Sequence, residues 1–192
     1  MTIIGRIPTR KQKAENKAVL KKLDNLAVNR FQKAYIRTQW GQFTWRLDGA
    51  LPGDHTRLLY KSLNTDQARI LAQARTGQNH LNAFRSRLKA IDSPICKCGK
   101  GKEDIQHLLV RCGLWEGERR VLREIAGDRY SDISYLLGGW SARRIWHTGQ
   151  PVDGERAKWK PNLQVVKAAV KFMQKTGRMV NTESRGEEGE GT

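Results

Sequence analysis

Ile95-Cys96-Lys97-Cys98-Gly99-Lys100-Gly101, followed by Asp104-Ile105-Gln106-His107-Leu108-Leu109-Val110-Arg111-Cys112-Gly113, carries the strongest chemical signal in the chain. It holds all 3 cysteines of the 192 residues, and with one histidine they read C-x-C-x8-H-x4-C. Thiolate and imidazole sets of this size bind zinc tetrahedrally, and four protein ligands leave no open position for catalysis. The spacing therefore predicts one structural zinc ion held by Cys96, Cys98, His107 and Cys112. Gly99 and Gly101 let the backbone fold sharply round the ion. On a continuous helix the two residues of an H-x4-C pair sit about 140° apart. Both reach one ion only if the helix ends near Cys112, and Gly113 supplies that ending. Leu108, Leu109 and Val110 would then pack against Trp115 and Leu122, coupling the metal to a small core. An odd, tightly spaced set of cysteines in a reducing compartment favours metal over disulfides. The competing reading is three buried free cysteines beside a core histidine, since C-x-C is tighter than the commoner C-x2-C.

Outward from this cluster the periodicity is helical. Trp115, Leu122 and Ile125 mark an amphipathic helix ended by Gly127, and Leu163, Val166, Val170 and Met173 mark another ended by Gly177. Upstream, Leu81, Phe84, Leu88 and Ile91 suggest a short helix bearing Arg85, Arg87 and Lys89 outward. Asn64 and Gln67 resemble a capping box, opening a helix through Ala68, Leu71, Ala72 and Ala74 that stops at Gly77. From about Arg10 to Trp40, Leu20, Leu23, Ala27, Phe31 and Ala34 recur every three or four places. The opposite face carries Lys13, Lys17, Lys21, Arg30, Lys33 and Arg37. Gly41 and the Asp48–Asp54 stretch carry turn chemistry, which ends the basic helix and suggests a lobe boundary near position 50. Tyr135 to Trp140 and Ile145-Trp146 are apolar but broken by Gly138-Gly139, and periodicity gives them no assignment. No internal repeat and no strong alternation calls for a large sheet. The expected fold is mainly α, one or more small helical domains around a Cys/Cys/His/Cys zinc knuckle. Residues 1–50 would form a basic helical segment, 51–178 a helical domain with its knuckle at 96–112, and 179–192 a disordered, polar and Gly-rich tail.

The formal net charge is +17, and residues 1–95 hold 18 Lys and Arg against 6 Asp and Glu, so +12 of it precedes the cysteines. Such a surface repels itself unless a polyanion neutralises it, which makes nucleic acid the expected partner. RNA or single-stranded DNA would be gripped largely through phosphates by the six basic residues of the first helix, by Arg85, Arg87 and Lys89, and by Lys97, Lys100 and Lys102 on the knuckle. The six tryptophans read as core or interface residues before base-stacking platforms, several sitting at helical apolar positions; stacking is left open for Trp40 and Trp45, which adjoin Arg37 and Arg46. No stretch approaches the roughly 20 apolar residues of a membrane span, and Met1 to Gly5 is too short for a signal-peptide core. The expectation is an intracellular, nuclear protein with no membrane and no small-molecule substrate.

The sequence also resembles the C-terminal zinc-knuckle region of fungal non-LTR retrotransposon polyproteins, downstream of the reverse transcriptase and RNase H. The similarity is carried by Leu51-Pro52-Gly53-Asp54-His55-Thr56-Arg57-Leu58-Leu59-Tyr60, by Ala72-Gln73-Ala74-Arg75-Thr76-Gly77 with Leu81-Asn82-Ala83-Phe84, and by Asp92-Ser93-Pro94 running into the cysteines. It continues through Leu136-Leu137-Gly138-Gly139-Trp140 and Trp159-Lys160-Pro161-Asn162-Leu163, covering about positions 40 to 178. The resemblance implies a module that follows the polymerase and helps grip element RNA or target DNA, the tail of a longer polyprotein.

Catalytic patterns are not evident. There is no aromatic-x-Asp-Asp polymerase motif and no RNase H arrangement of four acids with a histidine-bearing loop. Lys160-Pro161-Asn162-Leu163 is similar to a Pro-Asp nuclease turn, but the Asn162 amide is a poor ligand for a hard divalent ion. His55, His80 and His147 stand without an identifiable partner. The chain is therefore expected not to be an enzyme. Two alternatives remain at this point: a zinc-stapled helical protein-interaction module, and a remnant metal-dependent nuclease.

Overall fold

Side-chain caps open several helices of this chain, and left-handed glycines close two of them. The computed structural model describes residues 9–36, 38–51, 53–140 and 160–179. Helix α1 runs Arg10–Ile36 behind Thr9, whose hydroxyl accepts the Gln12 N–H while the Gln12 side chain accepts the Thr9 N–H. Helix α2, Gln39–Leu47, begins at Thr38, whose hydroxyl accepts the Gly41 N–H at 2.9 Å. Helix α1 thus ends at Ile36 and α2 begins at Gln39, and Gly41 lies inside α2 rather than in the loop expected there. A threonine cap outweighs a glycine's turn tendency when the next turn of helix can be buried.

Helices α3, Asp54–Lys61, and α4, Thr65–Thr76, follow. The Asn64/Gln67 capping box forms with both arms, and α4 ends on Gly77 in the left-handed conformation at φ +73°. Helix α5 is the short Asn82–Arg87, α6 is Glu116–Ala126, and α7 is Ile133–Leu136. Helix α8, Leu163–Thr176, ends on left-handed Gly177. Among the described residues there is no sheet; the one extended pairing is an isolated antiparallel bridge between Ile95 and Lys102.

Helix α8 is the axis of the body. Val165, Val166, Ala169, Val170, Phe172 and Met173 are all buried, and they pack against α4, α6 and α7. Helix α2 closes over α4 and α7, and α1 attaches through α2. Met179, just past α8, is fully buried, so the packed body reaches one residue beyond 178; positions 180–192 of the expected tail lie outside the described residues. So do Arg37, Ile145-Trp146, His147 and Trp159. Helix α1 behaves differently. Its apolar residues Val19, Leu20, Leu23 and Leu26 are 54–61% exposed, so that stripe is open rather than laid on the body.

The turn at 48–53, expected to mark a lobe boundary, is an interior junction. Asp48 is completely buried, and its Oδ1 accepts the N–H groups of Ala50 and Trp140, each at 3.1 Å. Its Oδ2 takes His55 Nε2 at 2.7 Å and a short bond from Arg75, whose other nitrogen donates to the Leu137 carbonyl at 2.7 Å. His55 therefore does have a partner. Four segments distant in sequence meet on one carboxylate. Tyr135 to Trp140, which periodicity could not assign, is the segment that closes this junction. A Cβ on Gly138 (φ +66°) would lie 2.6 Å from Leu59, and one on Gly139 would run into the Leu47 carbonyl. Burial alone would raise the Asp48 carboxyl, but the His55 hydrogen bond and the Arg75 charge hold it below the ordinary range.

A carboxylate whose pKa is lower folded than unfolded stabilises the fold above the unfolded value and loses that contribution as pH falls through the folded value. Asp48→Asn leaves the Arg75 guanidinium buried without its counter-charge and is expected to cost about 3–5 kcal/mol. Denaturant unfolding across a pH series checks this. The gap between wild type and variant should be full above about pH 5 and narrow as pH falls from about 4, where the unfolded carboxyl protonates, down through the lowered native value.

Candidate metal centre

The first two ligands ride on a backbone that turns back on itself within ten residues. Cys96 N–H donates to the Gly101 carbonyl at 2.8 Å, Glu103 N–H to Pro94 at 2.9 Å, and Gly99 N–H to Cys96 at 2.9 Å. Gly99 and Gly101 sit at φ +73° and +139°, yet a Cβ at either would meet nothing within 4 Å. Glycine is required here by backbone conformation and not by space.

The other two ligands depend on an unusual turn. Asp104 Oδ1 accepts the His107 N–H at 2.7 Å and opens the helical segment. From His107 to Arg111 the chain then winds as a π-helix, closed by Cys112 N–H donating to the His107 carbonyl at 2.8 Å. An i→i+5 ring spreads one turn over more residues than an α-turn does. That brings position 112 back beneath position 107, removing the offset that an α-helix would impose. Sequence reasoning had the helix stopping at Cys112; it does stop there, after first loosening. Leu108 and Leu109 are buried in the main core, with Val110 and Trp115 packed against it.

The four ligand atoms lie within 4.8 Å of one another. Cys96 Sγ and Cys112 Sγ are 3.7 Å apart, and Cys98 Sγ and His107 Nε2 are 3.2 Å apart. Two sulfurs about 2.3 Å from one tetrahedral zinc lie about 3.8 Å apart, and a sulfur and an imidazole nitrogen about 3.5 Å. The sulfur spacing is also far from the roughly 2.05 Å of a disulfide, and all three cysteines are free. The set fits a single structural zinc ion. Burial pushes the Cys96 thiol up to about 12, whereas the Lys100 N–H, 3.4 Å from its sulfur, draws Cys98 down. An ion bound here must displace the proton that burial holds on the Cys96 thiol.

No protein family, curated protein or solved structure matches this chain.

Two arginines, Arg119 buried and Arg178 half-buried, fasten the metal centre to the helices, and the sequence pattern gave no sign of either. Arg119 of α6, 1% exposed, donates to the carbonyls of Cys112, Leu108 and Val110, and also to Glu116 at 2.8 Å. All three carbonyls lie in or just after the π-turn, where the regular helix ladder is interrupted. Its guanidinium also lies 5.8 Å from the Phe172 ring of α8. Arg178 forms a two-armed pair with Glu103 at 2.8 and 2.6 Å, and Glu103 in turn accepts the Asn82 N–H. Asn82 donates to the Ile95 carbonyl at 2.8 Å, so the segment after α8, the start of α5 and the knuckle are stitched together.

The basic residues named as phosphate contacts fall on two surfaces. Lys13, Lys17, Lys21 and Arg30 are exposed along α1. Arg87, Lys89, Lys97, Lys100 and Lys102 are exposed on α5, its following turn and the knuckle, with Arg85 half-buried. Lys33 belongs to α1, but its side chain, like Arg37, lies outside the described residues.

Cys112→Ser replaces a thiolate with a far weaker ligand and should release the ion, with hydrogen exchange rising first across 92–126. Native mass spectrometry, with and without chelator, reads one zinc per wild-type chain and none in the variant. Arg119→Met keeps the apolar stem but leaves the carbonyls unmatched. It should lower unfolding stability by roughly 2 kcal/mol and speed zinc loss to a chelator.

Proposed function

We propose that this chain is a non-catalytic nucleic-acid-binding module, a zinc-stapled helical body that grips RNA or single-stranded DNA mainly through phosphates. The observation that carries this reading is the state of its charges. The guanidiniums of Arg75, Arg119 and Arg178 are consumed inside the body by Asp48, backbone carbonyls and Glu103. Helix α1, by contrast, presents Arg10, Lys11, Lys13, Lys17, Lys21, Lys22 and Arg30 to solvent, with no acid in its first turn. Among the described residues no ion pair lies on α1. A rod whose exposed cations outnumber its two acids, Glu15 and Asp24, suits a polyphosphate.

The same reading places the module in the C-terminal region of a non-LTR retrotransposon polyprotein, acting in the nucleus beside a polymerase. Its support is that the residues of resemblance are not scattered: His55 and Arg75 meet at Asp48, and Gly138 and Gly139 close against Leu59 and Leu47. No helix among the described residues is long and apolar enough to cross a membrane. The non-catalytic reading draws on Asn162, which caps α8 through the N–H groups of Gln164 and Val165 and donates to the Tyr135 hydroxyl. That is a structural occupation for the position resembling a nuclease turn. The open stripe of Val19, Leu20, Leu23 and Leu26 favours a second reading, in which α1 docks on a protein.

Salt separates the two. Neutralising Lys13, Lys17, Lys21, Arg30 and Lys33 together should flatten log affinity against log salt by roughly 0.7 per lost phosphate contact on a single strand. Fluorescence anisotropy on RNA and on single-stranded DNA measures this. A variant that keeps both affinity and slope, while chelated protein loses them, would move the binding surface to the knuckle. Binding insensitive to salt would favour the protein-docking reading.

A further inference from the structure

Beside the metal centre, α2, the end of α4 and α5 enclose a cleft of about 330 Å³. That is near the lower end of small-molecule sites, roughly 300–1,000 Å³. Its lining includes Phe43, Phe84, Arg46, Arg87, Asn79 and Asp104, with the Arg46 Nε donating to the Gln42 carbonyl at 3.3 Å. Neither phenylalanine is fully buried, and Arg46 and Arg87 are exposed.

Each part has a definite chemical bias. The Phe43 ring lies against Gly77, where a Cβ would be 3.2 Å from it, so the left-handed cap of α4 also makes room for an aromatic wall. Arg87 already lies over the Phe84 ring at 5.2 Å, so aromatic and cationic surfaces are adjacent. The Asp104 carboxylate accepts the His107 N–H and keeps its charge, so the two arginines outweigh it and leave the cleft positive. Asn79, 7% exposed, has its Oδ1 taken by the Leu81 N–H at 3.0 Å. What it can offer a ligand is the Nδ2 donor, which suits carbonyl oxygens and ring nitrogens.

A flat apolar surface, an amide donor and two cations together describe a nucleotide. We infer that this cleft takes one unpaired nucleotide of a bound single strand, its base against Phe84 and its phosphate at Arg46 and Arg87. This rests on the nucleic-acid reading above and adds a base-contacting site to it. A paired base is already stacked in its duplex, so the site selects single strands. Asp104 opens the turn that carries His107, and Ile105 beside it is both buried and part of the cleft wall. The cleft is therefore built partly from the metal centre, and chelation should impair it.

The test uses zinc-loaded full-length chain and two probes, a single-stranded oligothymidylate of about 12 nucleotides and an abasic strand of equal length. Fluorescence anisotropy should show the abasic strand binding roughly tenfold more weakly, with the same salt slope, because stacking adds no phosphate contact. Phe84→Leu should erase that difference, and Arg46→Gln should weaken both strands and lower the slope. Zinc content and circular dichroism verify that each variant is folded. Should Phe84→Leu not fold, photocrosslinking of an iodouracil-bearing strand to wild type decides instead, with adducts expected within 42–46 or 79–87. Equal binding of both strands, discrimination that survives Phe84→Leu, or adducts only elsewhere would overturn the cleft and leave the phosphate reading standing. If neither strand binds, both readings fall. Displacement of a cleft probe by a phosphotyrosine peptide but not by the oligonucleotide would reassign the site to a protein ligand.

Discussion

One buried guanidinium holds the metal centre and the helical body in a single arrangement. A zinc ion can close four side chains only if His107 and Cys112 face the same point, and the backbone achieves this by winding as a π-helix. A π-turn breaks the regular i→i−4 ladder, and carbonyls left over in a buried segment are costly. Arg119 answers several of them with one planar group while resting near the Phe172 ring of α8. Lysine could not do the same, since a single ammonium cannot reach as many acceptors in one plane.

The same economy appears at Asp48 and Glu103. Each is a buried carboxylate that gathers donors from segments remote in the sequence, and each faces an arginine. Ion pairs in such surroundings add little net stability over apolar packing, but losing one partner is severe. They serve as registration points. Asp48 sets α3, α4 and the 137–140 strand of backbone against α2, and Glu103 sets the knuckle against α5 and the end of α8. Charges on α1 have no such duties, and the contrast is what makes that helix a candidate for binding.

Much of the architecture was legible beforehand because local signals were strong. The Asn64/Gln67 box, the glycines after α4 and α8, and the apolar spacing from Leu163 to Met173 each declare a helix through chemistry confined to a few neighbouring residues. The metal ligands were legible for a related reason, since three cysteines and a histidine at close spacing have few other uses. Gly41 misled because a turn-forming residue says nothing about the threonine cap three places earlier that overrides it. Tyr135 to Trp140 resisted assignment because its glycines answer to Leu59, Leu47 and Val166, none of them nearby in the chain.

The sequence by itself determined the helical class, the four ligands and the excess of positive charge, because these follow from periodicity, donor chemistry and counting. Only the tertiary structure decided which charges are open and which are spent. Arg75, Arg119 and Arg178 look like Lys13 or Arg30 in a list of cations, yet the first three are bound to interior acceptors and the others face water. Likewise, nothing in the sequence joins Phe43 to Phe84; packing places them on one cleft with Arg46 and Arg87. The physical reason is the same in both cases. A side chain's availability depends on the neighbours that packing brings to it, and those neighbours lie far away along the chain.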